Sequence, residues 1–299
     1  LTKDGRLMII NGSNNLVYSG WCNNIEGITI EIFENGKYFP REYKDQYRVF
    51  INDMLDEIKE NEALKQIQAF LNKIKYTQVV NYHFWDSKRG TFQDFLFTHI
   101  DDNIEYAEIF SPYIYGDENL KYIRKFSADI RLLIPFEGPN TVATSVEFYK
   151  KLQEEGIKWC LIKSHDKTKE FRFNHSKIYR FKGQSKIYTI IGSVNFTSMA
   201  WKGFNNGGNY ENAVLYIEDF SEWEEIIIPY SGNAEEEFRF SENKEPENAE
   251  KQTIAPKLEF SIDWKKSTIR YKNKEKYNCT WENEIQNKTI ISGTGEFNN

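Results

Sequence analysis

Sulfur is scarce in this chain, and long apolar runs are absent from it. Three cysteines occur among the 299 residues, at Cys22, Cys160 and Cys279, with no CxxC pair. Isolated thiols predict neither a disulfide framework nor a cysteine-ligated zinc site, and they indicate a reducing, cytoplasmic compartment. No stretch reaches the roughly 18 apolar residues of a membrane span, and no secretory signal precedes the first strand-like run.

Net positive charge is lacking as well. The formal net charge is -6, which argues against a dedicated nucleic-acid binder because such domains are usually basic. The distribution is uneven, however, since Glu residues concentrate in 234–250. Basic residues gather around His175 in the sequence, namely Arg172, Lys177, Arg180, Lys182 and Lys186. A local basic groove is therefore compatible with the acidic total.

The central part of the chain alternates between strand-like and helix-like segments. Strands are predicted at 79–85, 107–113, 129–135, 158–162, 173–181, 186–193 and 211–218. Helices are predicted between the early strands, at 91–101, 118–126 and 143–155. This alternation with short loops predicts an α/β fold, in which a mixed β-sheet is flanked by helices.

The flanking regions suggest further divisions. Residues 1–34 read as short strands around a Gly-Ser-Asn-Asn turn, and residues 35–76 as a helical linker with apolar positions at helical spacing over 43–74. Residues 77–230 would form the main lobe. Residues 231–256 are Glu-rich and predict an acidic linker, and 257–299 alternate apolar and polar residues as a small β-rich unit does.

Two short motifs carry side chains suited to phosphoryl transfer. His175 and Lys177 are two positions apart in a strand-like segment, so they are expected to project from one face. The next strand ends in Gly192-Ser193-Val194-Asn195, where glycine lets the backbone pass close to a ligand and Ser and Asn supply neutral donors. Glu211, at the start of the following strand, is placed to accept a hydrogen bond from an imidazole.

These residue types fit phosphoryl transfer without a metal or other cofactor. A neutral histidine can attack phosphorus while a second, protonated histidine gives its proton to the leaving oxygen. Lys and Asn stabilise charge on the non-bridging oxygens, and a carboxylate holds each imidazole in one tautomer. Structural or surface roles are expected for the other histidines, His83, His99 and His165.

The arrangement resembles the phospholipase D superfamily, whose signature is HxKxxxxD followed by GSxN. The resemblance covers roughly residues 77–220 and includes the core-strand-like runs at 107–113 and 129–135. It implies two half-sites, from a duplicated chain or a symmetric dimer, with one histidine forming a phosphohistidine and the other acting as general acid and base. One position departs from the signature, because Lys182 stands where the Asp is expected.

The N-terminal turn repeats part of this pattern. Gly12-Ser13-Asn14-Asn15, followed by Glu26, matches the GSxN motif followed by Glu211. By the resemblance, Ser13 and Asn15 would bind phosphate for a first lobe truncated at its N-terminus, and Glu26 would orient an imidazole. The matching histidine would fall upstream of Leu1, and a first residue other than Met predicts a fragment or processed product. A dimer of single half-sites is the alternative.

Three functions follow from these residues. A DNA endonuclease of the defence or restriction type is favoured, with a phospholipase D or phosphatidyltransferase as the alternative and a non-catalytic nucleic-acid-binding or assembly module as the third. Aromatic side chains near His175 would either stack on bases or fill the strand core. They are Phe171, Phe173, Tyr179, Phe181, Phe196 and Trp201.

Overall fold

The computed structural model describes residues 5–13, 24–34, 39–58, 61–77, 81–126, 129–163, 172–220 and 222–241, and the backbone of strands between 258 and 298. The chain divides into two compact units, Leu1–Glu245 and Pro246–Asn299. Asn15, His165, Phe171 and the Glu-rich residues 242–257 lie outside the described residues.

Helices and short strands alternate along the first unit. Its helices are α1 (Arg41–Glu57), α2 (Glu62–Lys73), α3 (Phe92–His99), α4 (Asp117–Arg124), α5 (Val146–Glu154), α6 (Ser198–Trp201) and α7 (Ala234–Glu237). Its strands are β1 (Leu7–Gly12), β2 (Ile28–Phe33), β3 (Phe39–Pro40), β4 (Tyr76–Thr77), β5 (Tyr82–Asp86), β6 (Ile104–Phe110), β7 (Asp129–Leu133), β8 (Phe136–Gly138), β9 (Thr141–Val142), β10 (Lys158–Ile162), β11 (Ile178–Gly183), β12 (Lys186–Gly192), β13 (Asn212–Asp219), β14 (Ile227–Pro229) and β15 (Arg239–Phe240). Among the described residues no helix has the length and apolar character needed to cross a bilayer.

The main sheet is mixed. In the described part of the chain it has eight strands in the order β14-β10-β7-β6-β11-β12-β13-β5. β7 runs parallel to both β6 and β10, and the remaining pairs are antiparallel. Since β11, β12 and β13 are consecutive antiparallel neighbours, the start of β11, the end of β12 and the start of β13 lie side by side at the same end of the strands.

Both faces of this sheet are covered. Alternate residues of the central strands, such as Tyr179 and Leu215, pack on one face with helices α3 to α6. Val214 and Phe84 point to the other face, where they join a second core built from helices α1 and α2 and from Leu7 of β1. The predicted fold class, a mixed sheet flanked by helices, is therefore confirmed.

The hairpin β1–β2 packs on the second face. Its strands pair antiparallel, with Ile10 opposite Ile30. The side-chain amide of Asn11 donates to the carbonyl of Ile191 at 2.7 Å, which ties β1 to the end of β12. The N-terminal strands therefore lie beside the strand ends at which the two sequence motifs meet.

Several boundaries differ from the prediction. The helix expected over 43–74 is two helices, because the Asn61 side chain accepts from the amide of Leu64 and starts a new helix there. The strand expected from 173 begins at Ile178. Residues 234–240, assigned by composition to an acidic linker, belong to the first unit, where β15 pairs with β9 and Ala234 is fully buried.

The second unit contains antiparallel strands. They are β16 (Leu258–Asp263), β17 (Thr268–Asn273), β18 (Cys279–Glu282), β19 (Asn287–Ile290) and β20 (Gly293–Asn298). β16, β17 and β20 form one sheet, and β18 and β19 form a hairpin.

In the first unit, Cys160 is a free, buried cysteine, and burial raises the pKa of its thiol to about 12.

Candidate active site

The GSVN motif forms the turn after β12, and packed side chains hold it. The hydroxyl of Tyr179 donates to the carbonyl of Val194 at 3.0 Å, and Trp201 donates to that hydroxyl at 3.3 Å. The amide of Phe196 donates to Ser111 Oγ at 2.9 Å. These buried hydrogen bonds fix the loop, so its polar side chains keep one position.

Gly192 has a packing reason to be glycine. A Cβ at this position would lie 2.2 Å from the carbonyl oxygen of Asn212 and 2.7 Å from the Cα of Ala213. The close approach is therefore to the backbone of the next strand. A contact between Gly192 and substrate stays a prediction.

His175 and Lys177 precede strand β11 rather than lying in it. Asn174 forms an isolated parallel bridge with Ile25, and the amide of His175 donates to the carbonyl of Ile25 at 2.9 Å. The N-terminal segment thus holds the histidine backbone directly. The two side chains still meet, as the spacing predicted, but a contact 150 residues away in sequence sets their position.

The carboxylate that contacts His175 comes from Glu26. His175 Nδ1 lies 3.0 Å from Glu26 Oε1 and 3.1 Å from Oε2. Because a carboxylate only accepts, this contact requires a proton on Nδ1 and leaves the Nε2 lone pair available in the neutral ring. The His175 side chain is 11% exposed and that of Glu26 is 8% exposed, so the pair is well shielded from water.

Lys177 completes the cluster. Its Nζ lies 2.9 Å from His175 Nε2 and donates to the His175 carbonyl at 2.8 Å. Burial, and then the charge of Lys177, lower the pKa of His175, while Glu26 opposes them. Burial also lowers the pKa of Lys177 to about 8. At pH 7 the arrangement is a neutral imidazole beside an ammonium group.

Glu211 contacts the serine of the motif rather than this imidazole. Its carboxylate accepts from Ser193 Oγ and, at 3.3 Å, from the side-chain amide of Asn209. The amide of Ser193 donates to the Asn212 carbonyl at 2.9 Å, and the amide of Asn212 donates back to Ser193 Oγ at 3.1 Å. Burial raises the pKa of Glu211.

The N-terminal turn has the same hydrogen bonds. Ser13 Oγ donates to Glu26 at 2.6 Å, and the Asn24 amide donates to the same carboxylate at 3.3 Å. The amide of Ser13 donates to the Gly27 carbonyl at 2.9 Å, and the amide of Gly27 donates back to Ser13 Oγ at 3.0 Å.

The two turns therefore match in four contacts, each within 0.1 Å where a distance is given for both. The predicted repeat of the two motifs is thus visible as a repeated local structure. One difference separates them: the Glu26 carboxylate also holds the imidazole of His175.

Asn195 lies two positions beyond Ser193. Its Oδ1 is buried and has no hydrogen-bond partner among the described residues. Buried amide atoms are normally paired, so this one is suited to a ligand or water at the site. The predicted phosphate contact of Asn195 stays a prediction.

The predicted basic groove is largely neutralised. Three of its members are in ion pairs with carboxylates on or beside β6, namely Arg180 with Glu108, Lys182 with Glu105, and Lys186 with Asp101. Lys182, which replaces the expected Asp, thus belongs to a surface ion pair. Lys177 is the member of the group that contacts His175.

Most of the aromatic residues cannot stack on a ligand. Tyr179, Phe181, Phe196 and Trp201 are at most 2% exposed. The strand-core interpretation is correct for these four, because they fill the space between the sheet and its helices. Two other aromatic side chains, Phe204 and Tyr210, are 46% and 44% exposed, and Tyr210 directly precedes Glu211.

Two histidines expected to be unremarkable lie together. The rings of His83 and His99 are 3.9 Å apart, and His83 Nδ1 is 3.3 Å from Glu42 Oε1. Nothing in the sequence spacing indicated this group, because its members come from α1, β5 and α3.

Comparisons with known proteins agree with the fold and the motifs. Residues 96–226 match the family model described as cardiolipin synthase, PLD-like domain. Yeast tyrosyl-DNA phosphodiesterase is similar in structure, with 12% identity and a TM-score of 0.50 over 72% of this chain. A histidine-to-alanine mutant of that enzyme aligns with 14% identity and a TM-score of 0.52 over the same share.

In both of these comparisons the chain spans 64% of the yeast enzyme's length. A phospholipase D family member, Nuc from Salmonella typhimurium, aligns over 45% of this chain and 81% of its own, with 19% identity and a TM-score of 0.32. Among curated proteins no sequence matches this chain.

The fold and the paired motifs define an α/β domain that is similar to the PLD-like family. The matched residues 96–226 contain His175, Lys177, the GSVN turn and Glu211.

Proposed function

We propose that this chain carries one half of a metal-independent phosphodiesterase site that acts through a phosphohistidine intermediate. The contact between His175 Nδ1 and Glu26 supports the proposal most directly, because it sets the tautomer and directs the Nε2 lone pair away from the carboxylate. A lowered pKa keeps this nitrogen unprotonated at neutral pH, as attack on phosphorus requires.

The chemistry takes two displacements. In the first, an imidazole nitrogen attacks phosphorus, the bond from phosphorus to the leaving oxygen breaks, and a second, protonated imidazole gives that oxygen its proton. In the second, water attacks the phosphohistidine after losing a proton to the second imidazole, and the first imidazole leaves. Lys177 and Asn195 stabilise the charge on the non-bridging oxygens, which requires the Lys177 ammonium to move from Nε2 to the phosphate.

Glu211 supports the presence of a second imidazole. Its contacts with Ser193 and Asn209 repeat those of Glu26 with its own serine and asparagine. We propose that Glu211 orients this second histidine as Glu26 orients His175. The second histidine would come from a first lobe or from a second copy of this chain across a twofold axis.

The outer face of hairpin β1–β2 favours the first of these sources. This face carries Met8, Ile10, Ile28, Ile30 and Ile32, which are 41% to 56% exposed. A contiguous apolar strip of this kind is rarely left in water.

The matching face of the second hairpin shows what covers such a strip. With Ser13 aligned to Ser193 and Glu26 to Glu211, the corresponding β12–β13 positions include Tyr188, Ile190, Ala213 and Leu215, all at most 1% exposed. They are buried in the core formed with helices α3 to α6. We therefore propose that residues 1–34 belong to a first lobe whose own helices cover β1 and β2, with Asn15 and Ser13 on its phosphate side.

Nucleic acid is the proposed substrate, and an exposed aromatic pair beside the site favours it. Phe204 and Tyr210 stand edge to face with ring centroids 5.8 Å apart, and Lys88 Nζ lies 5.3 Å from the centre of the Tyr210 ring. Exposed rings suit a stacked base, and Lys88, which also pairs with Glu57, places a cation beside them. The yeast neighbour is, by its name, a DNA phosphodiesterase, so DNA is the first nucleic acid to test.

The test uses the full-length protein that contains this chain. It is incubated in EDTA with single-stranded DNA, plasmid DNA, RNA and phosphatidylcholine vesicles, beside a His175→Ala control. We expect DNA cleavage that persists in EDTA and is lost in the control, and a rise in KM for single-stranded DNA in Tyr210→Ala. Quenching at high pH, where phosphohistidine survives, followed by mass spectrometry locates the adduct on His175 or on the second histidine.

Other outcomes point elsewhere. Choline release in place of DNA cleavage supports the phospholipase alternative. Binding of DNA without turnover supports the non-catalytic module. Unchanged cleavage by His175→Ala contradicts the assignment of this residue, and a strict requirement for Mg²⁺ contradicts the mechanism.

A further inference from the structure

A second group of titratable side chains lies at the edge of the main sheet. Glu42 is in the first turn of α1, His83 is in the edge strand β5, and His99 is the last residue of α3. One possible ligand atom from each lies within 4.8 Å of the other two. Three elements that are separate in sequence thus bring two imidazoles and one carboxylate together.

One nitrogen of this group is buried without a hydrogen-bond partner. His83 is 4% exposed, and its Nδ1 makes no hydrogen bond among the described residues, although it lies 3.3 Å from Glu42 Oε1. The contact with Glu42 is therefore close but not aligned as a hydrogen bond. Buried imidazole nitrogens normally have partners. The nearest group to this one is the Glu42 carboxylate, and a cation bound between the two would satisfy both.

A metal ion binds imidazole only in its neutral form, and the closeness of the two rings in this group favours that form. Two protonated rings 3.9 Å apart would repel each other, whereas two neutral rings offer lone pairs to one cation.

We propose that Glu42, His83 and His99 form a binding site for a divalent transition metal ion, with Zn²⁺ as the expected occupant. Two imidazoles and one carboxylate are a donor set that Zn²⁺ accepts, with water in the fourth position. Glu42 is 44% exposed at its side chain, so it can adjust by rotation and leave the fourth position open to solvent.

The metal would act as a structural clamp. It would join the first turn of α1 to the end of α3 across the edge strand β5. The clamp takes no part in the phosphodiesterase chemistry, which uses His175 and its neighbours. EDTA is therefore expected to lower the melting temperature of the protein and to leave phosphodiester cleavage at 25 °C unchanged.

The experiment measures Zn²⁺ binding to the full 299-residue chain, after removal of metal and dialysis, by elemental analysis and calorimetry. The variants are His99→Ala and Glu42→Gln, since both positions are less buried than His83. Circular dichroism checks that each variant is folded. His175→Ala is the matched control, because it removes a histidine from the other site. Co²⁺ in place of Zn²⁺ reports the coordination number through its visible absorption.

We expect one Zn²⁺ per chain in the wild type and in His175→Ala. In His99→Ala the affinity should fall by more than about 100-fold, beyond the 10–100-fold that outer contacts of a metal site usually contribute. The melting temperature should rise with Zn²⁺ in the wild type and not in His99→Ala. Absence of stoichiometric Zn²⁺ binding in the folded wild type overturns the proposal. Wild-type affinity for Zn²⁺ in both His99→Ala and Glu42→Gln overturns it as well, and so does loss of binding in His175→Ala.

Discussion

Replacement of Glu26 by Gln tests how the site controls His175. The carboxylate raises the pKa of His175 against burial and the charge of Lys177, which both lower it. Glu26→Gln removes both the opposite charge and its hydrogen bond to the ring, so the His175 pKa should fall further below its ordinary value.

The assay is an NMR titration of imidazole ¹⁵N shifts in the 299-residue chain, with His175→Ala to assign the resonance. It needs no substrate and no second half-site, so it examines the geometry separately from the activity. In the wild type we expect a pKa below 6.5 and a neutral ring protonated at Nδ1. In Glu26→Gln the neutral form should persist to lower pH, and the ring should lose its single tautomer because an amide can also donate.

Lys177→Met is the matched variant of opposite sign. It removes a positive charge 2.9 Å from Nε2, so the His175 pKa should rise. In turnover assays kcat of the Glu26→Gln variant should fall by about 10- to 150-fold. This is the range expected for loss of a hydrogen bond to a charged group, which contributes roughly 1.5–3 kcal/mol. Identical titration of His175 in wild type and Glu26→Gln would refute the reasoning, and so would a lower pKa in Lys177→Met.

Two further predictions concern stability. Gly192→Ala should lower the free energy of unfolding by about 1–3 kcal/mol, because its Cβ would lie 2.2 Å from the carbonyl oxygen of Asn212; an unchanged urea midpoint would show that the strand yields easily. Arg180→Met should lower the free energy of unfolding by about 3 kcal/mol, the lower end of the range for breaking a buried ion pair. The fully buried Glu108 would then keep only backbone and tyrosine donors. Lys182→Met, at a more exposed pair, should cost less than about 1 kcal/mol, and equal losses in the two variants would contradict the role of burial.

The residues of the candidate site could be predicted from the sequence because short motifs carry them. The HxK spacing, the GSxN turn and the repeated Ser-to-Glu pattern are local, and each survives as a local structure. The partner of His175 could not be read in this way. Both Glu26 and Glu211 follow a GS turn, and only packing of the N-terminal hairpin against β12 decides which carboxylate reaches the ring.

Other differences have the same origin in tertiary contacts. Phe196 and Trp201 stand near His175 in sequence, but the sheet directs them into the core. The spacing of apolar residues does not reveal the Asn61 cap, which divides the predicted helix into two helices. His83 and His99 meet because a strand and a helix from different parts of the chain pack together, which no spacing encodes.

The origin of the Glu26 carboxylate has a consequence for control of the site. Ser13 and Asn24 hold Glu26, and the backbone of His175 is bound to Ile25, so both the ring and its partner depend on one docked hairpin. If the proposed first lobe moves away, His175 loses its tautomer and its backbone support together. In the proposed two-lobe arrangement, such a shared site would form only when both halves are in contact, so the proposed phosphodiester chemistry would depend on the folding of both.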